Sequence, residues 1–267
     1  MQQKEWNSHR GKIVYWVSDK IKEEAMTLAF LPGLSAEHHL FDPQLDYFDE
    51  GYNCFTWDAP GHALSRPYAM DFTLEEIADA LHDIFAQEGI EKPVLIGQSF
   101  GAYIGQMYME RYPGSLSGFV SIDSAPIQRK YYTNFDLWFL KHIEPMYKLY
   151  PNLVKAVANS CSETTEGRAN MMEALSPYTK EALCRLTGQG YLCLYEAIVA
   201  DRPYKIDCPG LLICGTKDKA GYVKQYNKRW HRQSGIPLVW VEGAGHNSNR
   251  DCPAFVNERI GAFLKGL

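Results

Sequence analysis

The chain contains no apolar run near the roughly 20 residues that a membrane span needs. Its opening, Met1-Gln2-Gln3-Lys4-Glu5-Trp6, is polar and carries no signal-peptide core, so a cytoplasmic setting is the expectation. Basic blocks are missing too. With a net charge of −5 over 267 residues, neither nucleic acid nor an anionic membrane surface is expected as a partner. The seven cysteines, Cys54, Cys161, Cys184, Cys193, Cys208, Cys214 and Cys252, are odd in number and include no C-x-x-C pair, so they read as reduced, structural thiols. Beside His38 and His39, no Asp, Glu or Cys completes a set at metal-ligand spacing. Both are read as helix or loop residues, and neither a metal nor another cofactor is expected.

What is present is a globular composition, 46% hydrophobic and 22% charged, long enough for one large core or a core with an inserted subdomain. Its organising stretch is Gly97-Gln98-Ser99-Phe100-Gly101. The residues before it, Pro93-Val94-Leu95-Ile96, are short, branched and apolar, like a strand buried on both faces. Residues 100–112 place Ala102, Ile104, Met107 and Met109 as a buried helix would, closed by Pro113-Gly114. A chain that turns so sharply from strand to helix strains Ser99, and Gly97 and Gly101 remove side chains that would obstruct the turn. The helix start then directs N–H groups to the space beside the Ser99 hydroxyl, where a negative oxygen forms during acyl transfer.

Further strands are expected at residues 12–18, 27–31, 53–57, 119–123, 210–215 and 237–241. They alternate with helices, the mark of a parallel α/β sheet. One helix is signalled by a Thr73/Glu76 capping box and the stripe Leu74, Ile77, Ala78, Leu81, Ile84 and Phe85, ending at Gly89. A last helix carries Phe255, Val256, Ile260, Phe263 and Leu264, with Asp251 expected as its cap. In Pro32-Gly33-Leu34-Ser35, Gly33 lets the chain turn so that the Leu34 N–H points into a site at the strand end.

Strand-like runs disappear between residues 127 and 203, where Tyr131, Tyr132, Phe135, Trp138, Phe139, Tyr147, Tyr150, Tyr178, Tyr191 and Tyr195 fall. A structureless loop of that length does not suit a compact domain. A helical subdomain is therefore expected at 127–203, inserted into a core made of residues 1–126 and 204–267. About a third of its aromatics are expected to reach a ligand pocket, the rest packing the subdomain itself.

Ser99, Asp218 and His246 each follow a strand, His246 on the glycine-flexed loop Glu242-Gly243-Ala244-Gly245-His246. A serine hydroxyl is a weak nucleophile until a base takes its proton, and imidazole is matched to that task near neutral pH. A carboxylate fixes the imidazole tautomer and stabilises its cation. Asp123, at a neighbouring strand end, is the competing acid.

Taken together, these motifs resemble the α/β-hydrolase superfamily along essentially the whole chain apart from the insertion. The elbow around Ser99 carries the likeness, as do Asp58-Ala59-Pro60-Gly61-His62-Ala63-Leu64-Ser65, the acid turn at 215–218, the histidine loop at 243–246, and the order Ser, Asp, His. Pro32 departs from the pattern by standing where many members have the histidine of an H-G pair, and Ala63 by replacing a glycine. The resemblance implies a mostly parallel central sheet flanked by helices, with residues 127–203 as a cap. It implies Ser99, Asp218 and His246 as catalytic residues and Leu34 and Phe100 as backbone oxyanion donors. The implied reaction is hydrolysis of a carboxylic ester, a small-molecule substrate, through an acyl-enzyme on Ser99; because residues 127–203 are aromatic-rich and poor in clustered charge, a small to medium, mainly neutral ester is expected. Alternatives are a lactone, amide or carbon–carbon bond in the same site, or a non-hydrolytic small-ligand binding protein. Asn247 stands where carbon–carbon hydrolases of this architecture often have tryptophan.

Overall fold

The apolar runs become one eight-stranded sheet: β1 (Gln2–Ser8), β2 (Gly11–Val17), β3 (Thr27–Leu31), β4 (Asn53–Trp57), β5 (Val94–Gln98), β6 (Gly118–Ile122), β7 (Gly210–Gly215) and β8 (Leu238–Val241). The computed structural model describes residues 1–267. The spatial order is β1-β2-β4-β3-β5-β6-β7-β8. β2 pairs antiparallel with β1 and β4, and every pairing from β4 to β8 is parallel. Parallel neighbours need crossovers, supplied by α1 (Asp42–Phe48), α2 (Leu74–Glu88) and α3 (Phe100–Arg111) before β6. The α2 start is the expected capping box: Thr73 Oγ1 accepts the Glu76 N–H, and Glu76 accepts the Thr73 N–H at 2.9 Å. Gly89 ends that helix at φ 65°.

No hydrophobic alternation marks β1, and the sequence reading missed it. It is an edge strand whose side chains alternate between exposed and half-buried, with Trp6 its only large apolar residue. Its register with β2 runs from Gln2 opposite Val17 to Ser8 opposite Gly11, so backbone pairing rather than core burial defines it. Polar and charged side chains suit such an edge.

Between β6 and β7 the chain forms only helices: α4 (Asn134–Lys141), α5 (Ile143–Lys148), α6 (Leu153–Cys161), α7 (Thr165–Leu175) and α8 (Lys180–Ala200), after a 3-10 turn at Arg129–Tyr131. After β7 come α9 (Val223–Ser234), α10 (Ser248–Asp251) and α11 (Pro253–Leu264). No helix is long and apolar enough to cross a membrane.

Asp251 does not cap the final helix. α11 starts after Cys252 with no side-chain cap and with Pro253 in its first turn, which has no N–H to satisfy. The Asp251 carboxylate turns instead to the start of α7, accepting the Glu163 and Thr164 N–H groups at 2.9 and 3.1 Å.

At the β5–α3 junction Ser99 has φ 49° and ψ −112°. A Cβ on Gly97 would collide with the backbone of Gly101 and Ala102, and one on Gly101 with the carbonyl of Leu31 in β3. Because a central strand cannot yield, Gly101→Ala should cost at least the ~1–3 kcal/mol typical of overpacking. Thermal unfolding should show a Tm lowered by several degrees; an unchanged Tm would mean that α3 does not approach β3 this closely.

Candidate active site

Three strand ends bring the site together. β5 delivers Ser99, the turn after β7 delivers Asp218, and the loop after β8 delivers His246. Ser99 Oγ lies 2.9 Å from His246 Nε2, and His246 Nδ1 lies 2.9 Å from Asp218 Oδ2. With a carboxylate facing it, Nδ1 carries the proton, which leaves Nε2 to accept from the Ser99 hydroxyl. Asp218 is held in turn by the Ala220 N–H at 2.7 Å.

Backbone contacts fix the two loops against each other. A Cβ on Gly215 would strike the carbonyls of Ala244 and Gly245, so only glycine lets the histidine loop pass there. The Lys217 N–H donates to Ala244 O at 2.9 Å, and the Gly243 N–H to Thr216 Oγ1 at 2.9 Å. Gln98 Nε2 donates to His246 O at 2.8 Å. Asp123 does not touch the imidazole by hydrogen bond. It braces the site from below, accepting the Gly215 N–H at 2.7 Å and the Ser248 N–H at 2.8 Å.

Burial alone would lower the His246 pKa, but the Asp218 charge and hydrogen bond, with a further push from Asp123, outweigh it and carry the pKa above its ordinary 6.5. Burial, and then the Asp218 charge, push the Asp123 carboxyl up to about 8. The Cys214 thiol beside them is driven up by burial and then by Asp123 and Asp218, so it stays protonated.

Ligand-type atoms gather in two places, Asp123–Cys214–Asp218 and Glu37–His38–Asp58. In both, the aspartates are committed to protein donors; Asp58 takes the His38 and Leu64 N–H groups at 3.0 Å each. His38 and His39 sit in a 3-10 turn, with His38 stacked on Trp16 at 3.6 Å, and neither lines the cavity described below.

The loop after β3 runs against the serine: a Cβ on Gly33 would lie 3.2 Å from Ser99 Cβ. The Leu34 N–H donates to no backbone carbonyl. Phe100 opens α3, where first-turn N–H groups have no partner within the helix.

A cavity of about 650 Å³ opens over Ser99 and His246, and 16 of its 24 lining residues are hydrophobic. Of the aromatics expected between 127 and 203, Tyr132, Phe135, Phe139, Tyr147 and Tyr191 line it. Tyr131, Trp138, Tyr150, Tyr178 and Tyr195 do not, so half rather than a third reach the cavity. Sequence reasoning missed Tyr103, Tyr222 and Tyr226, which join from outside residues 127–203. Their signal was helical spacing: Tyr103 stands one turn after Ser99, and Tyr222 and Tyr226 stand one turn apart after the acid turn. Lys219 at the cavity is paired with Glu163 at 2.8 Å.

Residues 28–259, from β3 into α11, match the alpha/beta hydrolase family. The chain belongs to that family. Over 248 residues this hydrolase is 20% identical to (E)-2-((N-methylformamido)methylene)succinate hydrolase of Acinetobacter baylyi, covering 91% of each chain. Its fold is similar to that of a thermophilic esterase from Thermogutta terrifontis, at TM-score 0.79 and 16% identity over 100% of this chain and 99% of that one. It is also similar to E-2-(acetamidomethylene)succinate hydrolase, at TM-score 0.72 and 18% identity over 99% of each.

An NMR titration of the His246 ring should give a pKa above 6.5. Asp218→Asn removes both its charge partner and its hydrogen bond, so the pKa should fall, and fall further than in Asp123→Asn. The reverse order would make Asp123 the partner of the imidazole.

Proposed function

We propose that this hydrolase cleaves a small to medium, mainly neutral carboxylic ester through an acyl-enzyme on Ser99. The observation that carries this reading is the unbroken chain from Ser99 Oγ through His246 to Asp218 at the floor of an apolar cavity. In the first half-reaction His246 takes the Ser99 proton as Oγ attacks the carbonyl carbon. The new oxyanion accepts from the Leu34 and Phe100 N–H groups. Collapse of the tetrahedral species breaks the bond to the alcohol oxygen, which leaves with the proton held on His246. Water then repeats the sequence on the acyl-enzyme, with His246 again taking and returning a proton, and frees the acid. Asp218 keeps the imidazole in its productive tautomer and stabilises its cation.

The cavity argues for the neutral class. The succinate-type substrates named for two of the similar proteins are dianions, whereas here no arginine lines the cavity and the lining lysine, Lys219, is already paired. In this reading residues 127–203 act as a cap on a core made of residues 1–126 and 204–267, excluding water from the reaction. Seven unpaired cysteines favour a reducing, cytoplasmic setting.

A fluorophosphonate probe should label Ser99, and Ser99→Ala should lose both labelling and ester turnover, by on the order of 10⁴-fold or more. Wild-type turnover in purified Ser99→Ala would sink the assignment. Because His246 must be neutral to act as base, kcat/KM should fall as pH drops through its raised pKa, placing the acid limb above pH 6.5. Asp218→Asn should move that limb to lower pH while reducing the rate by on the order of 10⁴-fold.

A further inference from the structure

Asp251 accepts five hydrogen bonds and pairs with no lysine or arginine. Its Oδ2 takes the Gly245 N–H at 2.8 Å and the Glu163 N–H at 2.9 Å. Its Oδ1 takes the Thr164 N–H at 3.1 Å, the Thr164 hydroxyl at 2.8 Å and the Ser162 hydroxyl. Burial opposes its ionisation, but the Glu163 N–H, the Ser162 hydroxyl and the Gly245 N–H more than offset this and hold the carboxyl below its ordinary range. On the far side of the histidine, the Asn247 N–H donates to Cys161 O at 2.7 Å. Residues 245 and 247 are thus both anchored on 161–164, and His246 hangs between the anchors. The last turn of α6 leads into that anchor, and Val157, Ser160 and Cys161 line the cavity.

We propose that Asp251 is a positioning residue for the reaction described above, locking the His246 loop to the α6–α7 turn so that the base and one cavity wall move as a single body. The proposal rests on the reading of Ser99 and His246 as nucleophile and base. Asp218 tethers the ring itself from the sheet domain, whereas Asp251 and Cys161 set the backbone from which the ring projects. A displacement near 1 Å at such a group costs about 10²-fold in rate. Asp251 therefore governs the chemical step more than substrate affinity.

The test compares kcat and KM on a small neutral ester, p-nitrophenyl butyrate, with active sites counted by complete fluorophosphonate labelling. In Asp251→Asn the amide NH₂ must face either the Thr164 N–H or the Glu163 and Gly245 N–H groups, so the joint loses backbone bonds whichever way the side chain turns. kcat per labelled site should fall about 10- to 100-fold, with KM within about twofold. Ser162→Ala removes a single donor from the insertion side and should show a several-fold fall with the same split. Thr179→Ala removes the α8 N-cap, where Thr179 Oγ1 accepts the Ala182 N–H at 3.1 Å, within the same insertion but away from the joint. It should lower Tm and leave kcat per site unchanged. Wild-type kcat per site in Asp251→Asn overturns the proposal; if that variant does not fold, wild-type kcat in Ser162→Ala does the same. An equal fall in Thr179→Ala at matched Tm also overturns it, since the effect would then be general destabilisation. A wild type that neither labels nor turns over overturns the hydrolase reading itself, whereas the other outcomes presuppose a working wild type.

Discussion

Everything in the site depends on one residue being held where its backbone does not want to be. Ser99, at φ 49° and ψ −112°, lies outside the relaxed regions for a side chain of its kind, at a cost on the order of 1–3 kcal/mol. It persists because its surroundings allow nothing else. Its N–H is taken by Ile122 O at 2.8 Å and its carbonyl by Ser124 Oγ at 2.8 Å, while Gly97 and Gly101 let β5, α3 and β3 close around it without collision. Relaxing Ser99 would mean breaking a central strand pairing, so the sheet keeps the hydroxyl aimed at the imidazole.

A second pattern supports the first. Four buried aspartates, Asp58, Asp123, Asp218 and Asp251, stand around the site, and none is paired with lysine or arginine. Each is served by backbone N–H groups, which satisfy buried carboxyl oxygens without bringing in a long, mobile side chain. An N–H belongs to a particular loop position, so each carboxyl group also fixes a stretch of chain. Asp58 holds the turn at His38 to the segment at Leu64, Asp123 holds the acid turn to the residues after His246, and Asp218 holds the ring. The electrostatics of the site and the geometry of its loops are the same set of bonds.

This explains what could be read from the chain and what could not. The strand–glycine–serine–glycine–helix pattern, the capping box at Thr73 and Glu76 and the alternation of strands with helices all follow from local chemistry, and they placed most of the sheet. β1 was invisible because its side chains bury little and its partner is a neighbouring backbone. Asp251 was misassigned for a related reason: an aspartate just ahead of a helix is a cap by local rules, yet its donors lie 88, 87 and 6 residues away in sequence, at Glu163, Thr164 and Gly245. The cavity tyrosines were legible in part. Spacing tells which residues share a helix face, whereas the choice between Tyr132 in the cavity and Tyr131 outside it depends on how the insertion seats on the sheet.

The cavity is lined both from residues 127–203 and from the rest of the chain, which has a consequence for how such a chain can diversify. Phe135, Phe139, Tyr147 and Tyr191 touch the cavity from helices that carry neither Ser99 nor His246, so inherited changes there can reshape what is admitted while those two residues stay in register. The turn at residues 161–164 has no such freedom, since its backbone is hydrogen-bonded to Asn247 and Asp251, beside His246. Drift in the insertion should therefore be uneven, with the walls at α4, α5 and α8 exploring new ligands and the short turn after α6 standing still.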